Sequence, residues 1–163
     1  MYGKLFKRYL DDELDIIFNE YIPDEQKYYR LIEEALKRGE KQVIINSEIM
    51  IAIIFDVIGL SGIILDIEMS DNTDKVIKDN VKKILSKMRT NNIEFVKLKE
   101  ILEWSNSKDS IDIMSIDIYY DNDRYTIKSN GVFYCVNDEK KNLNHILDKL
   151  LKKIVEKLIL WAI

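Results

Sequence analysis

Apolar residues along the chain recur with two periods, and the period of each stretch predicts its element. In residues 3–20, Phe6, Leu10, Leu14, Ile17 and Phe18 fall at three- and four-residue spacing, which predicts a helix. Pro23 then suits a first helical position. Asp24 and Glu25 follow it, and Lys37 and Arg38 precede Gly39, so both ends of a second helix complement its dipole. Its apolar stripe is Tyr28, Leu31, Ile32, Ala35 and Leu36. From 40 to 58, Ile44, Ser47, Ile51, Ile54, Phe55 and Ile58 share one helical face, although the β-branched residues at 42–46 also fit a strand.

The centre of the chain alternates these signals. Residues 63–69 read as a strand, with Leu65, Ile67 and Met69 alternating with Asp66 and Glu68. Asp71 or Thr73 can cap a helix over 73–90 whose stripe is Ile77, Val81, Ile84, Leu85 and Met88. Residues 93–105 fit a helix better than a strand through Phe95, Leu98, Ile101 and Leu102.

A β-meander is expected next. Residues 111–120 form a strand with a phase change near Ile113–Met114 that implies a bulge. Asp121-Asn122-Asp123 turns the chain into a strand over 124–129, and Asn130-Gly131 is a hairpin signal before a strand over 132–136. Asn137 or Asp138 opens a long amphipathic helix to about Trp161, with Leu143, Ile146, Leu147, Leu150, Ile154, Leu158 and Trp161 on its buried face. The expected fold is therefore α+β in a single domain over 1–163. It has several N-terminal and central helices, a small mainly antiparallel sheet including the meander, and a long C-terminal helix.

The apolar run 49–65 approaches the length of a membrane span, but Asp56 lies near its centre, Gly59 and Gly62 interrupt it, and acidic rather than basic residues flank it. A buried helix running into a buried strand fits it better. Asp56 is expected on the less buried side of that helix with Gln42 and Ala52. No hydrophobic leader opens the chain, and a lone Cys rules out an intramolecular disulfide, so a cytoplasmic location is expected. The 27 Ile, 20 Lys and 12 Asn against three Ala reflect AT-rich codons and point to a low-GC bacterium or its phage.

Charge is segregated. The net of −4 divides into −8 over 1–74, +5 over 75–108, −5 over 109–139 and +4 over 140–163. Solvated faces explain much of this. The sharper reading is a patch that steers a charged partner.

The chemical inventory is short. One His, one Cys and five scattered Gly leave no zinc-ligand spacing and no phosphate loop. Cys135 lies in an apolar strand and His145 on a Leu/Lys helix, with no glycine elbow to support a dyad. Asp121-Asn122-Asp123 begins like a calcium loop but lacks the Gly at its sixth and the Glu at its twelfth position. Asp66, Glu68, Glu94 and Lys97 are the residue types of a metal nuclease without its spacing. No cofactor or metal is expected.

The remaining candidate is a Tyr/Asp surface on the meander, comprising Asp112, Asp117, Tyr119, Asp121, Asp123 and Tyr125. Tyrosines beside carboxylates suit a basic protein partner. The expected function is a non-catalytic protein-binding inhibitor, in the manner of a bacterial or phage immunity or anti-defence protein. The rival readings are nucleic-acid binding through the basic helix at 75–89, or a metal-dependent enzyme using acidic residues.

Overall fold

The computed structural model describes residues 2–89 and 93–135. In chain order its elements are β1 (Tyr2–Leu10), β2 (Glu13–Tyr21), α1 (Tyr28–Lys37), β3 (Lys41–Gln42), α2 (Ser47–Gly59), β4 (Ile63–Met69), α3 (Lys75–Met88), α4 (Glu94–Ser107), β5 (Ile113–Tyr120), β6 (Asp123–Lys128) and β7 (Val132–Cys135). The chain divides into two compact units. Residues 2–45 and 130–135 belong to the first, and Asn46–Ser129 form the second.

The first unit is built on a hairpin. β1 and β2 pair antiparallel from Tyr2↔Tyr21 to Leu10↔Glu13. Asp11 and Asp12 form the turn, both at positive φ (49° and 63°), the geometry whose twist matches paired strands and which short polar side chains tolerate. The other edge of β1 pairs with β3 at Phe6 and Lys7 and with β7 at Tyr2–Lys4. One face packs Phe6, Ile17 and Tyr21 under Leu31 and Ala35 of α1. On the other face the Phe18 ring lies across Gly3, where any side chain would overlap it. α1 stops at Gly39 (φ 77°), and Glu40 N–H returns to the Ala35 carbonyl at 2.9 Å.

A charged row runs beneath α1. Arg38 makes two hydrogen bonds to the buried Glu40, at 3.1 and 3.0 Å, and these hold that carboxyl below its ordinary range. Asn19 donates to the same carboxylate at 3.3 Å. Lys4 is fully buried; its Nζ donates to the Asn130 carbonyl and lies 5.5 and 5.6 Å from the Phe6 and Tyr28 ring centroids. Desolvation lowers the Lys4 pKa to about 8.

In the second unit α2 is apolar around most of its circumference, with Ile49, Met50, Ile51, Ile53, Ile54 and Val57 buried, as a core helix must be. Asn46 caps it, accepting from Ile49 N–H at 2.9 Å. Ser61 at φ 64° ends it, and β4 follows at once. The expected buried helix running into a strand is thus present, and Ala52 and Asp56 are half-buried on it. Among the described residues no helix is long and apolar enough to cross a membrane. α2 and α3 pack on the strands, and α4 packs on α2 and α3 through Leu98 and Leu102.

Several expectations are corrected. Residues 3–20 are a hairpin, not a helix. Their Tyr, Phe and Ile content favours strands, and the Asp pair supplies the turn. The helix expected from 40 starts at Ser47, because Asn46 is the cap and Val43 and Ile45 are buried in extended chain. The helix expected from Pro23 starts at Tyr28, residues 22–26 being a turn closed on the Ile22 carbonyl. α3 is capped by Asp74 rather than Asp71 or Thr73, through a 2.7 Å bond from Val76 N–H. The sheet is not small: the described residues hold seven strands beside four helices, and every register is antiparallel. The expected C-terminal helix lies outside the described residues.

Two glycines at similar φ separate backbone strain from crowding. Gly131 (φ 78°) would place a Cβ 2.6 Å from the Val43 carbonyl oxygen, whereas Gly39 (φ 77°) has open space. Gly39→Ala should cost about 1 kcal/mol, the usual left-handed penalty. Gly131→Ala should cost distinctly more, about 2–4 kcal/mol once the clash is added. Urea unfolding of both variants checks this, and equal losses would mean that the Val43 contact is absent.

Lys4 makes stability depend on pH. Between about pH 8 and the ordinary lysine range, the unfolded chain holds a proton that the folded chain has lost, so stability rises with pH in that window. Tyr28 stays neutral there, its pKa raised by burial and by Tyr21. The stability of wild type relative to Lys4→Met should therefore increase from about pH 7 to about pH 9.5. A difference that does not change with pH would mean the ammonium is hydrated.

Candidate protein-binding surface

The registers of β4, β5 and β6 sort the acidic meander into two faces. Ile116↔Ile127 and Ile118↔Tyr125 pair on the inner face, with Ile64 and Ile67 of β4 beside them, all buried. The outer face carries three rows: Glu68, Ser115 and Lys128; Asp66, Asp117 and Thr126; Ile63, Tyr119 and Arg124. Two irregularities set this phase. One falls at Leu65, between Ile64 and Asp66; the other is at Met114, so that Glu68 faces Ser115 and Met69 faces Ile113. The second is the bulge that the pattern of the chain implies.

The outer rows are tied by hydrogen bonds. Asp117 pairs with Arg124 at 2.7 Å and accepts from Thr126 Oγ1 at 2.6 Å, while Ser115 Oγ donates to Glu68 at 2.9 Å. Tyr119 is 40% exposed, between Ile63 at 47% and the exposed Arg124. The turn is Asp121-Asn122, both at positive φ (50° and 67°), so its acidic tip has the same form as the Asp11-Asp12 turn.

The six candidates are therefore not one patch. Asp117 and Tyr119 share the outer face, and Asp121 stands exposed at the tip next to them. Asp123 is half-buried opposite Tyr120, on the other face. Asp112 is exposed just before β5, at the far end of that strand. Its N–H donates to Thr73 Oγ1 at 3.2 Å and its carbonyl accepts from Ser70 N–H at 2.9 Å. Tyr125 is 4% exposed and belongs to the core. Ile63, Arg124 and Thr126, which the candidate set does not include, share the outer face with Asp117 and Tyr119. Strand parity on the two sides of the Asp121-Asn122 turn is the signal that places Arg124 with Tyr119 and turns Tyr125 inward.

Among the described residues, the other candidate chemistry is dispersed. Glu94 is engaged with Lys97 at 3.2 Å on α4, away from the Asp66 and Glu68 strand positions. Among the described residues no three His, Cys, Asp or Glu side chains are grouped to hold a metal ion. Cys135 is buried in β7, and His145 lies outside the described residues. A cleft of about 560 Å³ is lined by Ile58, Gly62, Ile63, Ile64, Leu65, Leu85, Met88 and Arg89. Its lining has a guanidinium but no acid–base pair.

No protein-family model, curated protein or solved structure matches the chain.

The two tyrosines should separate cleanly. Tyr125→Ala should destabilise by about 3–5 kcal/mol, the range for a buried aromatic, and Tyr119→Ala by no more than about 0.5 kcal/mol. Chemical denaturation of the two variants measures both. Comparable losses would contradict the assignment of faces.

Proposed function

We propose that this chain is a non-catalytic protein-binding inhibitor of the immunity or anti-defence kind, of bacterial or phage origin, which blocks a basic partner through the outer face of β4–β5–β6. The observation that carries the reading is the exposed Tyr119–Ile63 pair beside the carboxylates of that face and the acidic tip at Asp121. An amphipathic aromatic with an aliphatic neighbour makes a binding anchor, and surrounding charge sets the approach of the partner. Asp117 is held by Arg124 and Thr126, so the face is preorganised and loses little side-chain freedom on binding. The AT-rich composition supports the source.

A second reading rests on α3, whose Lys75, Lys82, Lys83 and Lys87 are exposed on a helix that carries one Asp. That helix would attract a nucleic-acid backbone. Binding of this kind weakens steeply with salt.

The experiment is stopped-flow association with a basic partner protein at low and high salt. Asp121→Asn should slow association at low salt, and the difference should shrink as salt is added. Tyr119→Ala should act on dissociation, accelerating it by about 30-fold if it is an anchor of about 2 kcal/mol. Unchanged rates in both variants would remove this face from the site. Salt-steep oligonucleotide binding lost in Lys82→Glu would move the function to α3.

A further inference from the structure

Leu5 fixes the direction of every peptide group on β2. Its N–H donates to the Gly131 carbonyl at 2.9 Å and its carbonyl accepts from Val43 N–H at 3.2 Å, so both groups point away from β2. Leu5 stands opposite Phe18, which makes this a non-hydrogen-bonded pair, and the N–H and C=O of Phe18 must also point away from β1. Alternation then turns the backbone groups of Leu14, Ile16, Phe18 and Glu20 outward, while those of Asp15, Ile17 and Asn19 bond to β1.

No strand pairs with that outward edge among the described residues. Short length, Pro, Lys and bulges, which commonly protect an edge, are missing from it, and its charges are limited to Glu13, Asp15 and Glu20. β2 is nine residues long, contains no Pro or Lys, and keeps an unbroken register, whereas β4 carries an irregularity at Leu65. Such an edge accepts another strand.

The centre of β2 is compatible with itself when reversed. With a two-fold axis at Ile17, Leu14 meets Glu20 of a second copy and Ile16 meets its Phe18, so all four outward residues find hydrogen-bonding partners. A shift of two residues either way leaves one outward residue of each copy without a strand partner. The side chains agree with the same register. Ile16 faces Phe18 on one side of the sheet, and Ile17 faces Ile17 and Asp15 faces Asn19 on the other. Although β2 carries Glu13, Asp15 and Glu20, no carboxylate stands directly opposite another.

We infer that the chain forms a two-fold dimer through antiparallel β2–β2 pairing centred on Ile17, continuing the sheet of the first unit from one copy into the next. This association is independent of the surface on β4–β5–β6.

The full chain is tested by analytical ultracentrifugation with two variants. Wild type should sediment as a dimer. Ile16→Pro removes an N–H that bonds nothing within the hairpin, so its circular dichroism should match wild type while it sediments as a monomer. Ile17→Cys should cross-link to its own mate under mild oxidation, because a non-hydrogen-bonded pair brings the two positions within disulfide reach; wild type, with Cys135 buried, serves as the control. A wild-type chain that stays monomeric at its highest soluble concentration would overturn the inference. So would a folded Ile16→Pro variant that remains dimeric, or a monomer whose β2 edge takes up only an extended segment of another protein.

Discussion

The first unit depends on one strand being hydrogen-bonded along both of its edges. β1 meets β2 over its whole length on one side, and β3 and β7, from distant parts of the chain, on the other. Leu5 sits at the junction, bonded to Gly131 and to Val43. This explains why residue 131 must be glycine: the positive φ and the nearby Val43 carbonyl leave no room for a Cβ. It also brings the Asn130 carbonyl to Lys4, whose buried ammonium has that oxygen and two aromatic rings in place of water. The same bonding turns the peptide groups of Leu14, Ile16, Phe18 and Glu20 away from β1, so interior pairing and the edge on which the inferred dimer rests follow from one alternation.

In the second unit, burial of isoleucine dictates where the polar groups go. Ile64, Ile67, Ile113, Ile116, Ile118 and Ile127 face the helices, so their strand neighbours must face outward. Two irregularities keep this sorting intact. Without an extra residue at Leu65, Ile64 and Ile67 could not both point inward. The start of β5 is pinned by hydroxyls, Ser47 accepting from Ile113 N–H and Thr73 from Asp112 N–H. The outer face is then a place where a carboxylate can be held by Arg124 and Thr126 while Tyr119 stays exposed. That combination of fixed charge and accessible aromatic surface supports the proposed binding role, and it arises from the register rather than from any local motif.

Much of this was legible in the chain. The strand at 63–69, the helices behind Ile77–Leu85 and Leu98–Leu102, the glycine stop at 39 and the bulge near 114 all follow from period, caps and phase. Each of these signals is local. The apolar run at 49–65 could be assigned to a core helix and a following strand because its glycines and its carboxylate argued against a lipid environment. The N-terminal hairpin was misread for a definite reason. Leu10, Leu14, Ile17 and Phe18 satisfy a helical spacing, and the acidic run Asp11-Asp12-Glu13 resembles a solvated helix face, so the turn was hidden within the charge.

What the sequence by itself determined is which segments could be strands or helices, where most of them stop, and how charge is distributed among them. Tertiary structure decided the partners. That β7 lies against β1, that Tyr119 is exposed while Tyr125 is buried, and that Asp117 meets Arg124 all depend on register, because a one-residue slip reverses every side chain of a strand. Short-range propensity carries no information about that choice. It is made by burying isoleucines on one side of a sheet and by bonding Leu5 of β1 to Val43 and, across a gap of more than a hundred residues, to Gly131.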